Sequence, residues 1–397
     1  MLVYTNPHSR LPNELMFNIF ELVSGDRFTL ATLARLNHAF SPIVEQILYR
    51  NMTHWLGSHS QKLFLRTVIN NKRLASYVRR FGIIDYRLPS FEWEVREGNP
   101  LWDDVSCSIE AMKNLKELII DMEWNNLPLF KLLPSFAKLD LEAFTWYGQG
   151  LSVASTQAIV GFLGQNHWKN LQALKISLDG VPVGDLIDQE WCAGLMRLEG
   201  DTNAVRKIVP GRRVRELGWY PQMEMSVGEI DKELAEALKQ VNALCISFLM
   251  SFEHVFLDGL FPNVQHLRIL RAENAQVYMA RLLRHLPSLW ELSVDSTSRY
   301  WPIAQVFSMC SSLECIYVMR PGYPVEEDKY DRDSLNIGVQ YYRCLPASRS
   351  VRFVRPAVVK KMRQWRTAGY LIDDEKPATF QSDDYINTLQ YGYMMAY

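Results

Sequence analysis

The sequence predicts an α/β solenoid: a short three-helix N-terminal module, then an irregular repeat horseshoe whose parallel strands line a concave face. Three observations predict it. Strings of LxxLxL type, with apolar substitutions, begin at Leu115, Leu141, Leu171, Leu195, Val214, Val241, Val264, Leu289 and Leu313, spaced 19 to 30 residues apart with a mean of about 25. Between several of them, apolar residues recur at three- and four-residue steps, the mark of helices. Ahead of them, three short apolar runs with helix stops fill the first fifty residues. At 397 residues the chain is long for one ordinary core, which a repeat array accommodates.

The N-terminal elements come first. Leu15, Ile19 and Leu22 stand at i, i+4 and i+7, widened by Met16 and Phe20, so a helix from about Pro12 to Val23 has one apolar side. Pro12 suits a first helical turn, and Ser24-Gly25-Asp26 ends the run. Phe28, Leu30, Leu33, Ala34 and Leu36 form a second apolar set. Ser41-Pro42 then supplies an N-cap and first-turn proline for a third helix through Ile43, Ile47 and Leu48. Three helices in about 45 residues are near the size below which domains rarely hold together alone, so the module should pack against the repeats, a partner or both.

Leu11-Pro12, Glu14-Leu15, Ile19-Phe20, Leu22, Leu30, Leu33, Leu36 and Phe40 resemble the F-box motif in the form common in fungal F-box proteins, over roughly residues 10 to 50. The resemblance implies a three-helix F-box that docks on a Skp-type adaptor and through it on a cullin-RING ubiquitin ligase, while the rest of the chain selects the substrate. It assigns Leu11, Pro12, Leu15, Ile19, Leu30, Leu33 and Leu36 to the adaptor-binding or motif-core set. Asn37 replaces the more usual Cys or Ser, and GDRFT is not the common Pro-containing connector. The alternative is a non-catalytic repeat scaffold whose F-box-like helices only cap the solenoid.

The repeat period falls in the window of about 20 to 29 residues that characterises leucine-rich repeats. Clear copies are NLKELII (114–120), NLQALKI (170–176), NVQHLRI (263–269), SLWELSV (288–294) and SLECIYV (312–318). Weaker ones are LEAFTW, LMRLEG, VRELGW and VNALCI. Val78, Phe81 and Ile83 open the array, and Ser348, Val351 and Phe353 close it. Helices are expected over Thr156–Asn166, Ile230–Lys239 and Ala275–Leu286. The Asn or Cys that usually follows the LxxLxL core is replaced (Glu123, Asp179, Ala272, Thr297), so the usual side-chain ladder should be missing and the repeats irregular, as in many F-box proteins. The expected divisions are the F-box-like module at 8–52, a helical connector at 53–77, the repeats at 78–355 and a C-terminal cap at 356–397, the last with a basic helix over Ala357–Thr367 after an exposed loop at 320–334.

Alternation along each strand points Leu118 and Ile120 inward and Glu117, Ile119 and Asp121 outward, with the same offset in every copy. From the outward set, Tyr147, Lys175, Arg197, Tyr220, His266, Arg268 and Tyr317 are the candidate substrate-binding residues, the tyrosines as rigid amphipathic anchors. Lysines and arginines are few and acids many on this face, so a protein substrate is expected rather than nucleic acid.

Composition agrees with a recognition protein. Apolar residues make up 48% of the chain and charged residues 22%, while 43 basic residues against 44 acidic ones give a net charge of -1, so no global field draws nucleic acid or an anionic membrane. No secretory signal or membrane-length apolar run occurs, and the six cysteines lack CxxC spacing, which predicts an intracellular protein, cytoplasmic or nuclear, with reduced thiols. His54 and His59 lack a second ligand pair and read as surface histidines, and Cys310 and Cys315 as packing residues. With no GxSxG, Walker-type or GxGxxG string, no catalytic residue, metal or cofactor is expected, and the chain is expected not to be an enzyme.

Overall fold

The computed structural model describes residues 12–24, 26–85, 100–122, 129–147, 152–165, 168–182, 187, 190–221, 227–247, 252–270, 279, 282–295, 306–307, 310–320, 337–342 and 351–354. The chain divides into two compact units, Met1–Leu195 and Met196–Tyr397.

The first unit opens with α1 (Asn13–Leu22), α2 (Arg27–Leu36) and α3 (Ser41–Arg50). Pro12 has a polyproline-like φ of -53° and ψ of 147° before α1, and Glu14 places a negative charge in its first turn. Asp26 caps α2 by accepting the Thr29 N–H at 3.0 Å and the Thr29 hydroxyl at 2.6 Å. Ser41 does not cap α3 as its spacing predicted. It is the first helical residue, Phe40 is the cap, and the Ser41 hydroxyl turns to Glu45 at 3.4 Å. Phe20, Leu30, Ile43, Val44 and Ile47 form the core of the three helices, with Phe40 edge-on to Phe20 at 5.2 Å.

The chain continues through β1 (Asn51–Trp55), α4 (His59–Asn70), α5 (Lys72–Ala75), β2 (Arg80–Asp85), α6 (Pro100–Ala111), β3 (Glu117–Met122), α7 (Leu129–Phe136), β4 (Ala143–Tyr147), α8 (Val153–Gly164) and β5 (Ala173–Ile176). Strands β1 to β5 pair in parallel, in sequence order. Each of these crossovers carries a helix, the usual connection between parallel strands. The helical module is anchored here: Tyr49 stacks on Phe64 of α4 at 6.2 Å, and Glu45 pairs with Arg73 of α5 at 2.6 Å.

The second unit holds β6 (Arg197–Gly200), α9 (Thr202–Ile208), β7 (Glu216–Trp219), α10 (Lys232–Leu238), β8 (Ala243–Ile246), α11 (Glu253–Leu257), β9 (His266–Ile269), β10 (Glu291–Asp295), β11 (Cys315–Arg320), β12 (Ile337–Tyr342) and β13 (Val351–Val354). Strands β6 to β11 are parallel and sequential, whereas β12 and β13 add antiparallel. Aspartates open α9 and α10: Asp201 accepts the Ala204 N–H and Asp231 the Leu234 N–H, both at 2.8 Å.

The alternation of the strings sets the core. Leu118, Phe144 and Leu174 are register partners and buried, as are Leu198, Leu217, Leu244, Leu267, Leu292 and Ile316 in the second unit. Rings fill the wider gaps: Trp168 lies 4.8 Å from Phe144 and 5.2 Å from Phe162, and Trp219 meets Phe252 edge-on at 5.2 Å. Trp168 Nε1 donates to the Phe136 carbonyl at 3.1 Å and Trp191 Nε1 to that of Val160 at 3.2 Å, so these buried indoles are satisfied.

The backbone repeats one device. Two successive N–H groups at a strand entry donate to a single carbonyl of the preceding strand: Lys116 and Glu117 to Arg79, Glu142 and Ala143 to Lys116, Gln172 and Ala173 to Glu142, and in the second unit Gln265 and His266 to Asn242, then Trp290 and Glu291 to Gln265. The first apolar residue of a string closes a turn onto the residue three before it, as in Leu115 to Met112, Leu171 to Trp168, Val264 to Phe261, Leu289 to Leu286 and Leu313 to Cys310.

Side chains also bridge strands, from a position other than the usual one. The residue just before the first apolar position donates backward: Asn114 to the Ser76 carbonyl at 2.8 Å, Asn263 to that of Lys239 at 2.7 Å, Ser288 to that of Pro262 at 2.8 Å, and Asn170 to the Asp140 carboxylate at 2.9 Å. Of the four positions expected to lack a ladder, only Asp179 is among the described residues.

Other differences from the sequence expectations have local causes. Residues 51–55, assigned to helix and connector, form β1, because Met52 and His54 alternate with exposed neighbours in the two-residue rhythm of a strand. His54 is therefore buried, not superficial, with its ring 5.2 Å from Phe64. Cys310 and Cys315 are both buried, as packing residues should be. The expected basic helix at 357–367, the loop at 321–334 and Ser348 lie outside the described residues. Among the described residues no helix is long and apolar enough to cross a membrane.

Candidate functional site

The helical module sorts its apolar residues into two sets. Leu30 is fully buried and Leu33 packs against the same core, so these two hold the helices together. Leu15, Ile19 and Leu36 face outward, 49%, 48% and 72% exposed, and Pro12 is exposed beside them. Leu11 lies outside the described residues. Two residues absent from the candidate set join the outward row: Leu22 and Phe28, the latter 83% exposed. Their signal was in the sequence, since both were counted in apolar stripes, but a stripe does not reveal which members outnumber the available core. Among the described residues, five of the nine exposed large apolar side chains are these. Scattered single apolar residues need no explanation; here Leu15, Ile19 and Leu22 follow one another at i, i+4 and i+7 along α1, which gathers them on one face of that helix.

The second region is the outward side of the strands, where each unit carries its own cluster. In the first unit the Lys175 ammonium sits 4.3 Å from the centre of the Tyr147 ring and 3.7 Å from the Asp121 carboxylate. Asp121 itself is buried, as is Ile119, although alternation had placed both outward. A cation held between a ring face and a carboxylate fixes the tyrosine as a rigid platform.

In the second unit Arg197 donates through Nε to Glu199 at 3.1 Å and approaches Glu216 at 3.9 Å. The Tyr220 hydroxyl donates to the other Glu199 oxygen at 3.4 Å, which joins Arg197 and Tyr220 through one carboxylate. Gly218 makes this possible, because a β-carbon there would lie 2.7 Å from Glu199 Cγ and 2.8 Å from the Tyr220 hydroxyl. Burial raises the Tyr220 phenol far above the usual tyrosine range, reinforced by Cys245 and Glu199, so it is a neutral donor at every physiological pH. His266 lies 3.6 Å from the Glu291 carboxylate and edge-on to Trp290 at 5.4 Å, and Trp290 Nε1 donates to Glu314 at 2.6 Å. Arg268 is exposed and in register with Cys245. Tyr317, expected on the open face, is instead buried, as are Glu291, Ser293 and Cys315 on β10 and β11. The open part of this face therefore runs from β6 to β9.

These groups pair with one another within each unit. Among the described residues no three His, Cys, Asp or Glu side chains converge as metal ligands. No protein-family model matches the chain, and no curated protein matches it significantly.

Proposed function

We propose that the chain is the substrate-recognition subunit of an SCF-type E3 ubiquitin ligase. Its F-box-like helices bind a Skp-type adaptor and through it a cullin, and its strand faces hold a protein substrate. In this account the strands belong to irregular leucine-rich repeats with a concave face, and the chain positions a substrate in the cell while another subunit performs ubiquitin transfer. The observation that carries the proposal is the outward row of Pro12, Leu15, Ile19, Leu22, Phe28 and Leu36 over a core that already has Phe20, Leu30 and Ile43. Burial of each such side chain contributes about 1.5–3 kcal/mol, enough for a row of this size to drive association. The paired N–H groups at strand entries and the in-phase leucines support the repeat assignment.

The alternative, a scaffold whose helices only cap the repeats, draws on the contacts of Tyr49 with Phe64 and Glu45 with Arg73. Those contacts use α3, and they leave the row on α1 and α2 open. Titration of the purified full chain with the Skp-type adaptor of its source separates the two accounts. Wild type should bind at micromolar or tighter affinity, and Leu15→Asp with Ile19→Asp should weaken binding at least about a hundredfold, roughly 2.7 kcal/mol. Leu63→Asp, at an equally exposed leucine on α4, should leave it unchanged. A folded wild type that does not bind removes the ligase account.

A further inference from the structure

The exposed apolar residues of the helical module bracket the turn that joins α1 to α2: Leu15, Ile19 and Leu22 precede it, with Leu22 the last residue of α1, and Phe28 and Leu36 follow it, with Phe28 in the first turn of α2. Ser24 occupies that turn. It is exposed, its N–H donates to the Glu21 carbonyl at 3.1 Å, and the next bond of the turn runs from the Asp26 N–H to Val23 at 2.9 Å. Its hydroxyl makes no hydrogen bond to any described residue, in contrast to Thr29 and Thr32, whose hydroxyls are held by Asp26 and by the Phe28 carbonyl. A hydroxyl on a turn is accessible to an enzyme in a way that one on a packed helix is not.

We propose that Ser24 is a phosphorylation site and that a phosphoryl group there switches the docking face off. This inference rests on the adaptor-docking account above. The donor is ATP bound to a protein kinase, and Glu21 and Asp26 on either side of the serine fit a kinase that accepts acidic neighbours. The Ser24 oxygen attacks the γ-phosphorus, the new O–P bond forms as the β–γ anhydride breaks, ADP leaves, and the hydroxyl proton passes to the kinase's base. The product carries a charge of about −1.5 to −2 between Leu22 and Phe28. Covering those two side chains with an apolar partner then requires stripping water from a dianion, which opposes docking. A phosphate just ahead of α2 is favoured by the positive end of the helix and opposed by the Asp26 carboxylate two residues on, so the circular dichroism of the modified chain separates an effect on binding from one on folding.

The test has two readouts on the full chain. Tandem mass spectrometry of the protein purified from its own cells should find phosphoserine at position 24. Adaptor titration should give equal affinity for unmodified wild type and Ser24→Ala, and at least about tenfold weaker binding, roughly 1.4 kcal/mol, for a chain with genetically encoded phosphoserine at 24 and unchanged circular dichroism. Unphosphorylated Ser24 in the cellular protein, or full affinity of the phosphoserine chain, overturns the proposal. An unmodified wild type that fails to bind overturns the docking account itself, and the switch with it.

Discussion

Leu30 and Leu36 stand on the same ten-residue helix, yet one is sealed in the core and the other faces solvent. Leu30→Ala should therefore destabilise the protein by about 2–5 kcal/mol. Leu36→Ala should change stability by no more than about 0.5 kcal/mol, and urea unfolding of both variants measures the contrast. Glycines make a similar pair. Gly218→Ala drives a β-carbon into Glu199 and Tyr220 and should cost about 1–3 kcal/mol, whereas Gly161→Ala, inside α8 with nothing within 4 Å of its β-carbon, should gain up to about 1 kcal/mol. Asp26 links stability to pH. Its bonds from Thr29 hold its carboxyl below the ordinary value of 3.8, so its contribution is complete above that value and is lost as the pH falls through the lowered one. Wild type should therefore exceed Asp26→Asn in thermal midpoint near neutral pH, and the gap should close in acid.

At the scale of elements, the nine LxxLxL-like strings became β3 to β11, because a buried strand pair every 19 to 30 residues leaves a pattern that few other folds impose. What the pattern missed lacks leucines. NMTHW of β1 inserts a methionine and a histidine, and IGVQYY of β12 adds antiparallel with aromatic residues, so neither matches the string. The site was half legible for the same reason. Spacing identifies a leucine stripe, but the partner helix α3 decides that Leu30 turns inward and Leu15 outward, and no local pattern contains that choice. Tyr317 shows the converse, an outward position by alternation that is nonetheless buried. The bridges of Asn114 and Asn263 belong to this scale too. Asn114→Ala leaves a part-buried carbonyl without its donor and should cost about 1–2 kcal/mol in thermal or denaturant unfolding, whereas Asn263→Ala, at an exposed bridge where water replaces the amide, should cost no more than about 0.5 kcal/mol.

At the scale of the whole molecule, a small helical module exposes Leu15, Ile19, Leu22, Phe28 and Leu36, and strand faces carry side chains already locked in pairs. Preorganised rings such as Tyr147 and Tyr220 lose little freedom on contact, which favours recognition of a protein surface. Hydrogen exchange of the full chain, with and without the Skp-type adaptor of its source, tests the central claim most directly. The account predicts slowed exchange across α1 and α2 on adaptor binding, with β6 to β9 unchanged and open for substrate. Protection of the strand faces instead, or no protection anywhere with adaptor in excess, would contradict it.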